Sequence, residues 1–265
     1  MSKSIVVITG SSRGIGYGLA DALLARGCLV VVSSRSAESV TDAVARLHQK
    51  HSSDRVVGYA CDVGSYQSVQ GLWDTATARF GGIDIWINNA GQSTPPRSFW
   101  QLDDKQIASV VDTNLTGTMN GARVALEGML AQGHGRIFNF GGLGSNGMKV
   151  SGTTLYGTTK YAIQYFTDAL VEEVKRTPVQ VGFILPGMVV TDLLTESYDD
   201  WPEDKRRIKG VFNILADRVE TVTPWLADQI LTANRNGARI RWLTKQKILW
   251  RFLMAPFQKR NLFSG

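Results

Sequence analysis

Residues 5–16 read IVVITGSSRGIG, and this stretch decides the fold. The run Ile5-Val-Val-Ile8 is β-branched throughout, which suits a strand buried on both faces rather than an amphipathic one. Gly10, Gly14 and Gly16 follow in a GxxxGxG spacing, and helical periodicity runs over 14–26. Glycine is needed where φ is positive and where a backbone must come close to a ligand. A strand that turns through glycines into a helix offers N-terminal amides to an anion such as a pyrophosphate. The spacing is not the GxGxxG of the standard dinucleotide fingerprint, so the turn alone is a weak signal.

The same alternation continues downstream. Apolar runs at 28–34, 56–63, 83–91, 135–140 and 179–187 read as buried strands, with a last one at 238–244. Segments of helical period fill 37–51, 65–80, 103–132 and 154–176. Strands alternating with helices imply parallel pairing through right-handed crossovers. A single α/β domain of Rossmann type is therefore expected, a doubly wound parallel sheet with helices on both faces. It would occupy residues 1–240 as the dinucleotide-binding catalytic domain. The polar segment after Thr191 breaks the pattern and suggests a substrate lid over about 191–215. Residues 241–265 form a basic and aromatic C-terminal extension.

Composition narrows the function classes. The chain has 265 residues, 43% hydrophobic and 20% charged, an ordinary globular balance. Its 29 basic and 23 acidic residues give a net charge of +6. Arg239, Arg241, Lys245, Lys247, Arg251, Lys259 and Arg260 stand in 237–265 with no acid among them, so the rest of the chain is nearly neutral. Nucleic-acid binding does not fit a basic tail on a neutral body. The tail could be an interfacial helix on anionic lipid, a flap over a hydrophobic substrate, or a helix packed on the domain or a neighbouring subunit. No apolar stretch approaches the roughly 20 residues that span a bilayer, and no leader precedes the first strand, so a cytoplasmic protein with membrane contact at most through its tail is expected. Cys28 and Cys61 read as reduced core thiols, and the three histidines have no metal-ligand spacing, so no metal is expected.

Chemistry concentrates in LYGTTKYAI, 155–163, where Tyr156 and Lys160 stand one helical turn apart. A phenol near its reference pKa of about 10 is a poor proton carrier at neutral pH. An ammonium four residues on lies on the same helix face and would favour the phenolate. The cofactor choice falls to the end of the second strand, where a carboxylate would hold the ribose 2′-hydroxyl of NAD. Here the strand ends Ser33-Ser34-Arg35-Ser36, and Arg13 lies in the glycine turn. Two arginines and no acid point to the 2′-phosphate of NADP(H).

TGSSRGIG (9–16), CDV (61–63), NNAG (88–91), TNL (113–115), YGTTK (156–160) and PGMVVT (186–191) stand in the order and spacing of the short-chain dehydrogenase/reductases, and the chain resembles that family over roughly 1–195. The resemblance implies that Tyr156 is the proton donor or acceptor, that Lys160 binds the nicotinamide ribose and lowers the Tyr pKa, and that Asn114 holds a water in the proton relay. By the same resemblance Gly10, Ser12, Arg13, Gly14, Ile15 and Gly16 face the pyrophosphate. Asp62 and Val63 bound the adenine, and Asn88, Asn89, Ala90 and Gly91 line the cofactor floor. Pro186, Gly187, Val189 and Thr191 meet the nicotinamide end. Without the family, Asp62 reads equally as a turn former and Asn114 as a polar residue inside a helix. Helices 103–132 and 154–176 are implied as the faces of a homodimer or homotetramer.

One position departs from the pattern. The family places a serine about 13 residues before the tyrosine, and aligning GRIFNFGG puts Gly142 there. Losing such a donor would cost on the order of 10²–10³ in rate. Ser145 and Asn139 are the nearest polar substitutes, with Ser151, Thr153 and Thr154 nearer the tyrosine. Together with WINNAG, IFNFGGLGSNG and PGMVVTDLL, this glycine resembles the chlorophyll b reductase branch, which reduces a formyl group on a chlorin. The expected function is NADP(H)-dependent reduction of a large hydrophobic carbonyl, with Gly142 and Ser145 toward the substrate. An alcohol dehydrogenase or reductase of small or lipid-like substrates and a non-catalytic dinucleotide sensor remain open.

Overall fold

The computed structural model describes residues 3–191, 206–257, 260 and 262. Strands β1 (Ile5–Ile8), β2 (Leu29–Ser34), β3 (Val56–Ala60), β4 (Ile85–Asn88), β5 (Gly135–Phe140), β6 (Val179–Leu185) and β9 (Ala238–Arg241) form one sheet in the order β3-β2-β1-β4-β5-β6-β9. Every pairing is parallel, with Val6 opposite Val30 on one side and Ile85 on the other. All seven expected strands are present; the aliphatic side chains of the central strands are buried because helices cover both faces, and the edge strands β3 and β9 are only partly buried.

The pleat divides each strand between two cores. Val6, Ile8, Val30 and Val32 pack with Leu19 and Leu23 of α1 (Gly14–Ala25), Leu47 of α2 (Ala37–His48), and Leu226 and Ile230 of α8 (Val219–Thr232). Val7 and Val31 face the other way, against Leu72 and Trp73 of α3 (Tyr66–Phe80), Ala125 and Met129 of α5 (Gly117–Gln132) and Leu170 of α6 (Thr154–Glu173). Cys28 and Cys61 are buried thiols of these cores.

The long helix expected over 103–132 is in fact two. Helix α4 (Asp104–Val111) passes through a π-helical turn, Asp112–Thr116, into α5. Such one-residue insertions are favoured where a side chain must be re-aimed for function, and Asn114 lies inside this one.

The second departure is at the C-terminal end. Of the lid expected at about 191–215, residues 192–205 lie outside the described residues, and Arg206–Leu215 form helix α7. Strand β7 (Val189–Val190) then pairs in parallel with β8 (Asp217–Arg218), Val189 opposite Asp217. Helix α9 (Lys245–Met254), capped by Thr244, carries the basic extension. Arg251 donates to both Asp217 carboxylate oxygens at 2.7 and 2.9 Å, Arg260 to one at 2.8 Å, and the Trp242 indole at 2.6 Å. Asp217 is 3% exposed. Burial pushes its carboxyl up, but the bonds from Trp242, Arg251 and Arg260 outweigh that and hold it below the usual carboxylate range. Two of the seven tail cations are thus spent on fixing the tail to the domain.

Candidate active site

The sheet order reverses at β1, between β2 and β4, and the carboxyl ends of β1 and β4 meet there. In doubly wound folds this crevice holds the ligand. Gly10 and Gly14 adopt φ of +62° and +58°, which side chains rarely tolerate. A Cβ at Gly10 would lie 2.7 Å from Ala90 Cα, and one at Gly16 would lie 2.4 Å from the Gly10 carbonyl. The turn therefore closes only with glycine at both places. Ser11 stitches it to β2: its hydroxyl donates to Ile8 O at 2.7 Å and accepts from Ser33 N at 2.9 Å.

Asn89 clamps the turn from β4's end, donating to Thr9 O and Gly10 O, each at 2.9 Å. Thr9 Oγ1 accepts from the Asn89 and Ala90 amides at 3.0 and 3.1 Å. Helix α1 begins at Gly14 after Arg13 with no side-chain cap, whereas Ser36 and Ser65 cap α2 and α3. With Ser12, Ile15 and Gly16, this start is a cradle fitted to a phosphate. Arg13 and Arg35 are exposed beside it. A third arginine was not chosen from sequence: Arg46 of α2 donates to Ser12 O at 2.9 Å and stacks 4.3 Å over the Tyr17 ring.

Opposite the turn, Asn114 and Lys160 converge on Gly91, and Tyr156 stands one helical turn before Lys160 on α6. The missing Cβ of Gly91 would stand 3.5 Å from Asn114 Oδ1 and 3.6 Å from Lys160 Nζ. Asn114 accepts from Gln92 N at 2.8 Å and donates to Gln92 O at 2.9 Å and Thr159 Oγ1 at 3.1 Å. Its side chain locks the loop after β4 to α6, and Thr159 is a partner that sequence did not mark. Lys160 Nζ donates to Phe140 O at 3.1 Å and stands 5.7 Å from the Tyr156 ring centroid. Burial pulls the Lys160 ammonium down to about 8 and pushes the Tyr156 phenol up to about 12. Desolvation is the cause of both shifts.

Gly142 lies directly under the phenol. A Cβ there would fall 2.4 Å from Tyr156 Oη and 3.3 Å from Lys160 Cγ, so the tyrosine hydroxyl fills the space of the absent side chain. Ser145 is buried, its Oγ accepting from Gly142 N at 2.9 Å, so it braces the loop beneath the phenol. Asn139 is no substitute donor for the reacting oxygen. It is fully buried and bonded to Asn88 at 2.8 Å and Thr167 at 3.0 Å, and Asn88 in turn accepts from the Trp86 indole. Asn88 is thereby a core residue under the sheet and not part of the cleft floor. Alternation along a strand sends successive side chains to opposite faces, and neighbouring Asn89 is the one at the turn.

Asp62 forms a turn, accepting from Gly64 N at 3.0 Å, and Val63 is buried where a Cβ at Gly117 would come within 2.5 Å of it. Asn120 holds both carbonyls of Val63 and Gly64. Pro186 and Gly187 (φ +78°) lead into β7, with Leu243 packed on Gly187. Thr191 crosses the turn, its Cγ2 3.5 Å from where a Gly14 Cβ would be.

A glycine cradle at a switch point, facing a tyrosine and a lysine on one helix, defines a dinucleotide-dependent oxidoreductase class. A family model described as short chain dehydrogenase matches residues 4–201, and the chain belongs to that family. It is 36% identical to the probable chlorophyll(ide) b reductase NYC1 of Arabidopsis thaliana, over 92% of this chain and 51% of that protein. It is 36% identical to the chlorophyll(ide) b reductase NOL of Oryza sativa subsp. japonica, over 91% of this chain and 72% of that one. The chain thus spans about half the length of the NYC1 proteins it matches. Both relatives carry the designation chloroplastic. Among solved structures, a gluconate 5-dehydrogenase from Burkholderia cenocepacia in complex with NADP and tartrate is 25% identical, with a TM-score of 0.77 over 91% of this chain and 94% of that one. A 3-ketoacyl-(acyl-carrier-protein) reductase from Brucella melitensis complexed with NADH shares the fold at 20% identity, TM-score 0.79, over 90% and 96%. No helix among the described residues is long and apolar enough to cross a membrane.

Proposed function

We propose that the chain is an NADP(H)-dependent carbonyl reductase for a large, flat hydrophobic aldehyde or ketone, with a chlorophyll b-like formyl group as the favoured substrate. The observation that carries this reading is the Tyr156 hydroxyl over Gly142, in the space a side chain at that position would fill, with the Lys160 side chain beside it. NADPH, when bound, supplies the hydride. Gly10, Ser12, Arg13, Gly14, Ile15 and Gly16 hold its pyrophosphate, and Arg35 with Arg13 its 2′-phosphate. Asp62, Val63 and Asn89 to Gly91 border the adenosine and ribose. Lys160 orients the nicotinamide ribose, and Pro186, Gly187, Val189 and Thr191 close over the nicotinamide. Tyr156 gives its proton to the carbonyl oxygen as charge develops there, and Asn114 fixes the loop on which Gly91 sits. The similarity to chlorophyll(ide) b reductases supports the substrate class. A homodimer or homotetramer would use α5 and α6, which expose Met119, Leu130, Tyr161 and Tyr165.

NADPH absorbance followed against a panel of simple aldehydes, ketones and a chlorophyll b derivative tests the reading. Oxidation with the chlorin well above that with small carbonyls is expected. Turnover confined to small or lipid-like carbonyls would replace the substrate class, and tight NADPH binding without any turnover would favour a sensor.

Three further outcomes are expected. Arg35→Asp removes a cation and supplies the acid suited to a ribose hydroxyl, so the NADPH over NADH preference in kcat/KM should fall by about 10-fold or more; an unchanged ratio would place the 2′-phosphate elsewhere. Gly142→Ala puts a methyl 2.4 Å from Tyr156 Oη and must displace it. A shift of about 1 Å should lower kcat on the order of 10²-fold with NADPH affinity retained, and wild-type turnover would show that the phenol needs no such room.

The third concerns pH. Reduction needs the protonated phenol, which persists up to about 12, so this group leaves kcat/KM for carbonyls flat through neutrality. Alcohol oxidation needs the phenolate, so its kcat/KM should rise about tenfold per pH unit on the acid side of that value. An oxidation profile already level by neutral pH would mean that the phenol is lowered in the free enzyme.

A further inference from the structure

We propose that the outward face of α9 is a docking surface for an anionic lipid bilayer, on which the protein lies without crossing it. Leu249, Trp250, Phe252, Leu253 and Phe257 are between 44% and 81% exposed. At 100° per residue, Leu249, Trp250 and Leu253 fall on one side of the helix axis, opposite Arg251, and Phe257 is exposed in the turn just beyond the helix. Arg251 fixes the other side to the domain through Asp217 and the Leu215 carbonyl at 2.7 Å. The helix is therefore held in place with its apolar stripe turned outward, not left to fold back.

Charge selects the occupant. No acidic residue follows Asp228 in the sequence. Arg251 and Arg260 neutralise Asp217, and Arg239 pairs with Asp168. Arg241, at the end of β9, and Lys245, at the start of the helix, stay exposed, and Lys247 lies 3.1 Å over the Trp242 ring. An apolar stripe with Trp and Phe, flanked by cations and free of acids, matches the interface of an anionic membrane. Leu249, Trp250, Leu253 and Phe257, each more than half exposed, present on the order of 500 Å². That lies toward the upper end of the roughly 300–600 Å² of the largest apolar patch on a typical monomer, a patch that is often functional, and falls short of the roughly 800 Å² per partner of a stable protein interface. Ten residues of helix span about 15 Å, half a bilayer core, so the helix can lie in the interface but not traverse it. The proposal goes beyond the reductase reading and does not depend on it.

Co-sedimentation of the full chain with vesicles of phosphatidylglycerol and phosphatidylcholine, against phosphatidylcholine alone, tests it. Binding to the anionic vesicles at least tenfold stronger, and weakened by salt, is expected. Leu249→Glu with Leu253→Glu should abolish it, and Lys245→Glu should weaken it severalfold. Thermal melting and NADPH affinity report whether each variant stays folded. Equal binding to both vesicles, or none to the anionic ones, would overturn the proposal. So would loss of an oligomer in the double variant, measured by light scattering, because the face would then belong to a second copy. NADPH turnover of a soluble aldehyde, measured on the same samples, reads the reductase function separately.

Discussion

Tyr156→Phe is expected to lower kcat/KM for carbonyl reduction by about 10²–10⁴-fold, the range for a positioned general acid. The phenolic oxygen rests over Gly142, which has no side chain to bond it, and the ring itself is retained in the variant. Melting temperature and NADPH affinity should accordingly stay close to wild type, with the loss confined to turnover. Lys160 Nζ keeps its bond to Phe140 O in either protein. Stopped-flow NADPH absorbance with the best carbonyl of the panel measures the effect. A variant as fast as wild type would remove Tyr156 as the proton donor, whatever the substrate.

Asp217→Ala carries the second large effect, and it falls on stability. The carboxylate is buried and satisfies Arg251, Arg260 and the Trp242 indole together. Its removal leaves two guanidinium groups without their counter-charge, a loss of roughly 3–5 kcal/mol when one partner of a buried pair is deleted. Urea unfolding at neutral pH should show it. Because the folded carboxyl is held below its ordinary range, the stability it contributes is present above the unfolded pKa and disappears as pH falls through the folded one. The gap between variant and wild type should therefore close on acidification. A loss below about 1 kcal/mol at pH 7 would mean that the cluster is solvated like a surface pair. Since β8 pairs with β7, the variant should also weaken NADPH binding through the loop that carries Thr191.

The central strands of the main sheet were legible because both of their faces are buried, which makes each a largely apolar run, and the edge strands β3 and β9 were legible from their place in the strand–helix alternation. The helices up to Glu173 were legible from their period, except at Asn114. There the π turn inserts a residue without disturbing the apolar order of Val110, Ala122 and Ala125, so periodicity passes over it. Helices α7 and α8 follow a polar stretch, and their places are set by distant partners, α7 meeting α9 and α8 meeting α1 and the sheet, which leaves a weak imprint on the chain.

At the site, Asn88 and Asn89 are adjacent letters with opposite fates. One joins a buried amide chain to Asn139 and Thr167, and the other clamps the glycine turn. Asn139, an attractive polar neighbour in the sequence, belongs to the first set. Arg46 and Thr159 became visible only when α2 and α6 were set against the turn and the π segment.

What the sequence determined by itself is the chain of parallel crossovers, the glycines of the turn and the Tyr156–Lys160 pair, because each depends on local backbone conformation or on one helical turn. Tertiary structure alone decided that desolvation raises the phenol, that Tyr156 occupies the space over Gly142, and that Asp217 gathers the tail's arginines. These are matters of dielectric surroundings, free volume and charge pairing between residues far apart in the chain, and they come into being only when distant segments exclude water together.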